Sequence, residues 1–111
     1  MPNLDAIIQE IIQFRNDRDW EQFHNSKDLA LAISIEASEL NELFLWKKPE
    51  DVNIDKLKEE LADIFTFSLL LAHKHDLNVE EIIREKLKSN ALKYPVEKAK
   101  GTSKKYNEFD K

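Results

Sequence analysis

Apolar residues recur three and four apart along most of this chain, and polar breaks divide the recurrence into four runs. That period places side chains on one face of a helix. The first run, LDAIIQEIIQFRND, repeats Ile7-Ile8 and Ile11-Ile12 four apart behind Asn3 as an N-cap. RDWEQFHNS follows as a polar and aromatic connector. A second helix is predicted from Ser26, its cap, to about Leu45 or Trp46, with Asp28 in its first turn. KKPEDVN breaks the pattern at Pro49, and a third helix runs from about Ile54 to His75. The fourth opens behind Asn78, with Glu81 three residues on as in a capping box, and ends near Lys93, before Pro95. The remainder, 96–111, reads as a polar, lysine-rich surface tail. The fold predicted is all-α, a single-domain bundle of four main helices over residues 1–111.

Composition narrows the chemistry. The 111 residues suffice for one compact domain with a modest core, which makes self-association to bury more surface a natural expectation. The one glycine, Gly101, excludes a phosphate loop or dinucleotide fingerprint built on glycines. The absence of cysteine excludes disulfides, thiolate zinc sites and a cysteine nucleophile, and fits a cytoplasmic setting. A net charge of −5 argues against a nucleic-acid polymer as partner. MPNLDAIIQE does not read as a secretory signal. No apolar run approaches the roughly 20 residues of a membrane helix.

Within the second helix, ALAISIEASELNELFLW carries two glutamates on its apolar side. The row Leu29, Ile33, Glu36, Leu40, Leu43 is otherwise apolar, and so is the row Ala32, Ile35, Glu39, Leu43, Trp46. The third helix repeats the arrangement in EELADIF. Glu60 shares a row with Leu57, Ile64, Phe67 and Leu71, and Asp63 lies one turn along in a more mixed row. Glu59 falls on the solvent side. With 22 acidic residues, pairs of this spacing also arise on ordinary solvated faces, as Glu39/Glu42 and Glu81/Glu85 do. Two pairs in apolar rows on consecutive helices call for a counter-charge, because burying an ionised carboxylate alone costs several kcal/mol. Neither stripe contains a lysine or arginine. Four oxygen donors, Glu36, Glu39, Glu60 and Asp63, suit a hard cation, with Mg²⁺ favoured and Mn²⁺ able to substitute. A di-iron bundle would need two Glu-x-x-His motifs, and the one such string, Glu21 to His24, lies in the connector. His73 and His75 are two apart, so they diverge on a helix and read as a solvated helix end.

The ordered set RDWEQFH, EASELNELFLW, EELAD and NALKYPV resembles the MazG-like, all-α nucleoside triphosphate pyrophosphohydrolases, in their dCTP pyrophosphatase branch. The likeness runs from about Phe14 to the C-terminus. It implies a helical bundle assembling as a dimer or dimer of dimers, hence a homodimer or homotetramer. It also implies hydrolysis of a (deoxy)nucleoside triphosphate to monophosphate and pyrophosphate. By that resemblance Glu36, Glu39, Glu60 and Asp63 would bind Mg²⁺. Trp20, His24 and Trp46 would line the base pocket, with Phe67 bordering it, and Lys86 and Asn90 would reach the sugar or phosphates. The tail around Lys104, Lys105 and Tyr106 would close over the substrate. Three positions depart from the family pattern. Ile35 stands where many members have a glutamate, Phe67 where tyrosine is usual, and Ile11 where the branch has a first-helix histidine. The last two bear on base and sugar preference rather than on the metal.

The chemistry fits the residues independently. Metal ions on four carboxylates would draw a triphosphate to an acidic protein and acidify a water for attack at the α-phosphate. Glu36 or Glu39 would accept the proton, or the metal alone would activate the water. Two other readings stand beside this one. A dUTP-type di- or triphosphatase would share the fold. A non-catalytic interaction module would use the spacing 29, 33, 36, 40, 43 as a dimer seam, with Glu36 setting register.

Overall fold

The computed structural model describes residues 3–110, and among them every regular element is helical. Four long helices form: α1 Leu4–Asp17, α2 Ser26–Glu42, α3 Ile54–Lys74 and α4 Val79–Lys93, followed by the short α5 Val96–Ala99. No helix among them is long and apolar enough to cross a membrane. The chain divides into two compact units, one up to Leu77 and one from Asn78 onward.

Each long helix starts on an asparagine whose side chain accepts a backbone N–H of the first turn: Asn3 from Asp5, Asn25 from Asp28, Asn53 from Lys56 and Asn78 from Glu81. This satisfies donors that a helix start leaves orphaned. At α2 the cap is therefore Asn25, one residue before the predicted Ser26. Both residue types cap well. Ser26 is already helical, and its hydroxyl hydrogen-bonds with His75 Nε2 at 2.8 Å instead. Asn25→Ala is expected to cost about 1 kcal/mol, checked as a drop in melting temperature without a change in helix content.

In the first unit α2 and α3 form the main packing pair, and α1 packs against α3. Ser26 at the start of α2 meets His75 just beyond α3, while Glu36 and Glu60 meet at mid-length, so the two helices are antiparallel. Leu29 on α2 (2 % exposed) and Leu70 on α3 (4 % exposed) form the centre of the core, with Ala72 buried alongside. Arg15, at the end of α1, is the one buried charged residue among those described, at 8 % exposure.

The predicted continuation of α2 to Leu45 or Trp46 is not observed. The helix ends at Glu42, and Leu43–Lys47 turn in tight succession. Trp46 lies in the left-handed region at φ +61 and is 94 % exposed. An aromatic residue is rare there, since that backbone normally calls for glycine or asparagine.

In the second unit the stretch beyond α4 is exposed, as its polarity predicts, but it is more than a loose tail. Tyr94 meets Tyr106 edge to face at 6.1 Å and Phe109 at 5.6 Å. Lys93 Nζ sits over the Tyr106 ring at 5.1 Å. These contacts fold the chain end back on the end of α4.

Candidate metal centre

The antiparallel pairing of α2 and α3 brings the two acidic pairs together. Carboxylate oxygens of Glu36, Glu60 and Asp63 all lie within 4.8 Å of one another. Glu39 stands one turn beyond Glu36 and interacts with it, though its side chain is exposed. Glu36 and Glu60 are half-buried, and Asp63 is exposed at the margin. No salt bridge among the described residues involves any of the four. Oε2 of Glu36 and Oε2 of Glu60 are both buried without a hydrogen-bond partner.

Two acceptor oxygens facing each other without a donor are costly in a helical hairpin. The site has two ways to relieve that cost. One is a proton: on Glu36 it would be shared first with Glu60. That hydrogen bond, then burial, then the neighbouring Glu39 and the charge of Asp63, raise the Glu36 pKa from near 4.5 to about 7. The other is a cation. An all-oxygen donor set with two orphaned buried oxygens and no lysine or arginine paired to it fits a hard divalent ion.

The proton route has a measurable consequence. A carboxyl whose folded-state pKa lies above its unfolded value contributes stability that is present below that unfolded value and lost as pH rises through the folded one. In chelator, the protein is therefore expected to lose stability between pH 4.5 and about 7 through Glu36. Thermal melts across that window check this, and Glu36→Gln should flatten the slope.

Beside the cluster an open groove of about 530 Å³ carries Glu39, Glu60, Lys47 and Lys56 toward the α2–α3 loop. On the other side, toward the free ends of the hairpin, lies a cavity of about 220 Å³ lined by Arg15, Glu21, His24, Leu29, Leu70 and Lys74, among others. His24 is half-buried, and its Nδ1 lacks a partner. Burial, and then the nearby Arg15 guanidinium, hold its pKa below the ordinary imidazole value, with Glu21 opposing. Burial and Arg15 both favour its neutral form.

The remaining predicted substrate residues are dispersed. Trp20 is exposed and packs edge to face on Phe14 at 5.9 Å, with the Arg18 guanidinium 3.6 Å above the Phe14 ring. Phe67 is half-buried on α3, two turns from Glu60 and on the same side. Trp46 projects from its turn and lines neither hollow. Lys86 is exposed and Asn90 half-buried on α4, in the second unit. Arg15 is the residue the pattern analysis overlooked. Its signal was present: the four-residue step from Ile7 to Ile11 continues to Arg15, placing a cation on the apolar stripe of α1.

A family model described as the MazG-like family matches residues 31–109, which include all four carboxylates. The chain is similar to dCTP pyrophosphatase 1 of Bos taurus, at 34 % identity over 97 % of this chain and 69 % of that protein. Its similarity to dCTP pyrophosphatase 1 of Homo sapiens is 33 % identity over 97 % of this chain and 68 % of that protein. Among solved structures it is similar to a pyrophosphatase from Archaeoglobus fulgidus, with a TM-score of 0.79 and 30 % identity, covering 86 % of this chain and 94 % of that one. The chain belongs to the MazG-like family. Within that family its resemblance is to the dCTP pyrophosphatases.

Proposed function

We propose that this protein hydrolyses a deoxynucleoside triphosphate, dCTP or a close relative of it, to the monophosphate and pyrophosphate with Mg²⁺ as cofactor. The enzyme class, nucleoside triphosphate pyrophosphohydrolase, follows from the family and from the pyrophosphatase relatives. The observation that carries the metal chemistry is the pair of buried, partnerless oxygens on Glu36 and Glu60. Similarity to two dCTP pyrophosphatases supports the choice of base.

Glu36, Glu39, Glu60 and Asp63 would hold the ions, and Mn²⁺ would substitute for Mg²⁺. Bound there, the cations supply positive charge against the triphosphate oxygens and acidify a water. The chain's own part is to hold that charge on a rigid hairpin and to take up a proton. The water oxygen bonds to the α-phosphorus, the bond from that phosphorus to the bridging oxygen breaks, and pyrophosphate leaves. Glu36 or Glu39 takes the water's proton. Of the predicted base residues, His24 lines the cavity and Trp20 and Phe67 would border the base, whereas Trp46 sits in the turn at the opposite end of the hairpin. Assembly as a homodimer or homotetramer is part of the proposal. The exposed apolar residues Leu31, Ile35 and Phe65 on α2 and α3 support it.

The test is a product assay with Mg²⁺ across the deoxy- and ribonucleoside triphosphates, assaying pyrophosphate and orthophosphate separately. The expected result is monophosphate plus pyrophosphate, abolished by chelator. Orthophosphate with a nucleoside diphosphate would refute attack at the α-phosphate.

A further inference from the structure

The carboxylate cluster and the 220 Å³ cavity lie along the same faces of the same two helices. Residues seven apart on a helix share a face. On α3 that aligns Glu60 with Phe67 and Lys74, and Asp63 with Leu70; on α2 it aligns Glu36 with Leu29. Leu29, Leu70 and Lys74 line the cavity. The step from Glu36 to Leu29, or from Asp63 to Leu70, is two helical turns, about 10 Å. That is the kind of distance separating the α-phosphate of a nucleotide from its base. On the opposite side of the cluster the open groove, lined by Lys47 and Lys56 and by Glu39, Glu42, Glu59 and Glu60, continues toward the loop. A triphosphate lying across the carboxylates would then place its base end in the cavity and its leaving end in the groove.

The cavity lining suits an uncharged heterocycle better than an anion. Its two fixed cations, Arg15 and Lys74, are matched by two carboxylates, Glu21 and Asp76. Leu29 and Leu70 close its floor but are almost wholly buried, so the exposed lining is mainly polar. Arg15 is buried and held in place: its Nε and Nη2 donate to Asn16 Oδ1 at 3.1 and 3.0 Å, and Nη2 lies 3.6 Å from Glu21 Oε2. None of these contacts uses its Nη1, and Arg15 lines the cavity. The buried Nδ1 of His24 is a further polar atom there without a partner. A buried guanidinium next to a carboxylate forms a donor beside an acceptor, which is the complement of one edge of cytosine. That base offers an exocyclic amino donor next to acceptors, whereas uracil and thymine present an oxygen where cytosine has the amino group.

We infer that this cavity reads the base of the substrate, with Arg15 donating to the ring nitrogen and carbonyl edge and Glu21 accepting from the exocyclic amino group. The inference rests on the reaction proposed above and adds to it the residues that select the base. In uracil the O4 oxygen would oppose the Glu21 carboxylate, which makes the pair a discriminator against dUTP as well as an anchor for dCTP.

The experiment compares kcat and KM for dCTP and dUTP in wild-type protein, Glu21→Gln and Arg15→Met. A glutamine at 21 can turn its amide N–H toward the uracil oxygen. Glu21→Gln is therefore expected to shrink the dCTP-to-dUTP ratio of kcat/KM by about tenfold, mainly through KM. Arg15→Met is expected to raise the KM for dCTP more than that for dUTP. The Glu21 side chain is 67 % exposed, so its variant will fold even if the buried Arg15 position does not tolerate change. Wild-type hydrolysis with an unchanged ratio in Glu21→Gln, or a uniform rise in KM for both nucleotides, would overturn the inference while leaving the reaction intact. Calorimetric titration with dCMP and dUMP tests the cavity without any turnover. A preference for dCMP that Glu21→Gln erases supports the assignment even if the triphosphatase reaction fails, and indifference of the wild type to the two bases refutes it.

Discussion

Glu60→Gln is expected to abolish pyrophosphate release while making the metal-free protein harder to melt. The two effects have one cause. Glu60 shares with Glu36 the most buried part of the cluster, and an oxygen of each lacks a partner. Removing one negative charge weakens the hold on a divalent ion, whose contribution to a phosphoryl transition state is several kcal/mol. At 1.36 kcal/mol per tenfold, the loss in kcat is on the order of 10³-fold. In the absence of metal the same substitution takes away a like charge and supplies an amide N–H that can donate to Glu36 Oε2, a gain of about 1 kcal/mol. Glu60 is the informative position because, unlike Glu36 and Glu39, it is not a candidate proton acceptor. Pyrophosphate assays and melts in chelator read the two effects separately. A variant that retains activity, or one that melts lower without metal, would mean that the cluster is not the metal centre.

Mg²⁺ is expected to raise the melting temperature steeply. A ligand present at ~100 times its Kd and bound only by the folded state adds about 2.7 kcal/mol. For a chain of this size that is on the order of ten degrees. The cation also competes with the Glu36 proton, so its affinity should climb as pH rises toward and past about 7. Metal-free protein should thus weaken across the window in which metal-loaded protein strengthens, and the gap between the two melting curves should widen with pH. Differential scanning fluorimetry with and without Mg²⁺ at several pH values checks this. A shift that survives intact in Glu36→Gln would contradict the ligand assignment.

The helix period carried much of this architecture, because helices are local. The bounds of α1 follow from Asn3 and the isoleucine pairs, and those of α4 from Asn78 and Pro95. What escaped the pattern has specific physical causes. Apolar spacing continues through Leu43 and Trp46, and no glycine or proline marks the end of α2. The helix stops through a left-handed turn on a tryptophan, which no propensity would suggest. Tyr106 and Phe109 stand among lysines in a polar stretch, so their packing on Tyr94 is visible only once the chain folds back. At the centre, the rows through Glu36 and Glu60 showed that both carboxylates face inward. That they face each other depends on the antiparallel register of α2 and α3, which is tertiary information. Glu39 shares a row with Ile35 and Trp46, and all three are exposed in the single chain. An apolar row therefore does not by itself identify a buried one. Arg15 was missed because a cation at the end of a helix reads as solvated until the cavity beside it is seen.

The spacing along α3 has an evolutionary corollary. Between Asp63 and Leu70 the helix acts as a ruler of fixed length, with the metal ligands at one mark and the cavity wall at the other. Substitution inside that interval leaves the marks in place, whereas adding or deleting one residue turns everything beyond it by about 100° and carries Leu70 and Lys74 off the shared face. The segment should tolerate changes of identity far better than changes of length. The loop from residue 43 to 53 should behave in the opposite way, since an exposed connection takes an extra residue at little entropic cost. Descendants of this chain should therefore vary in length at the turn and hold their count along the helix.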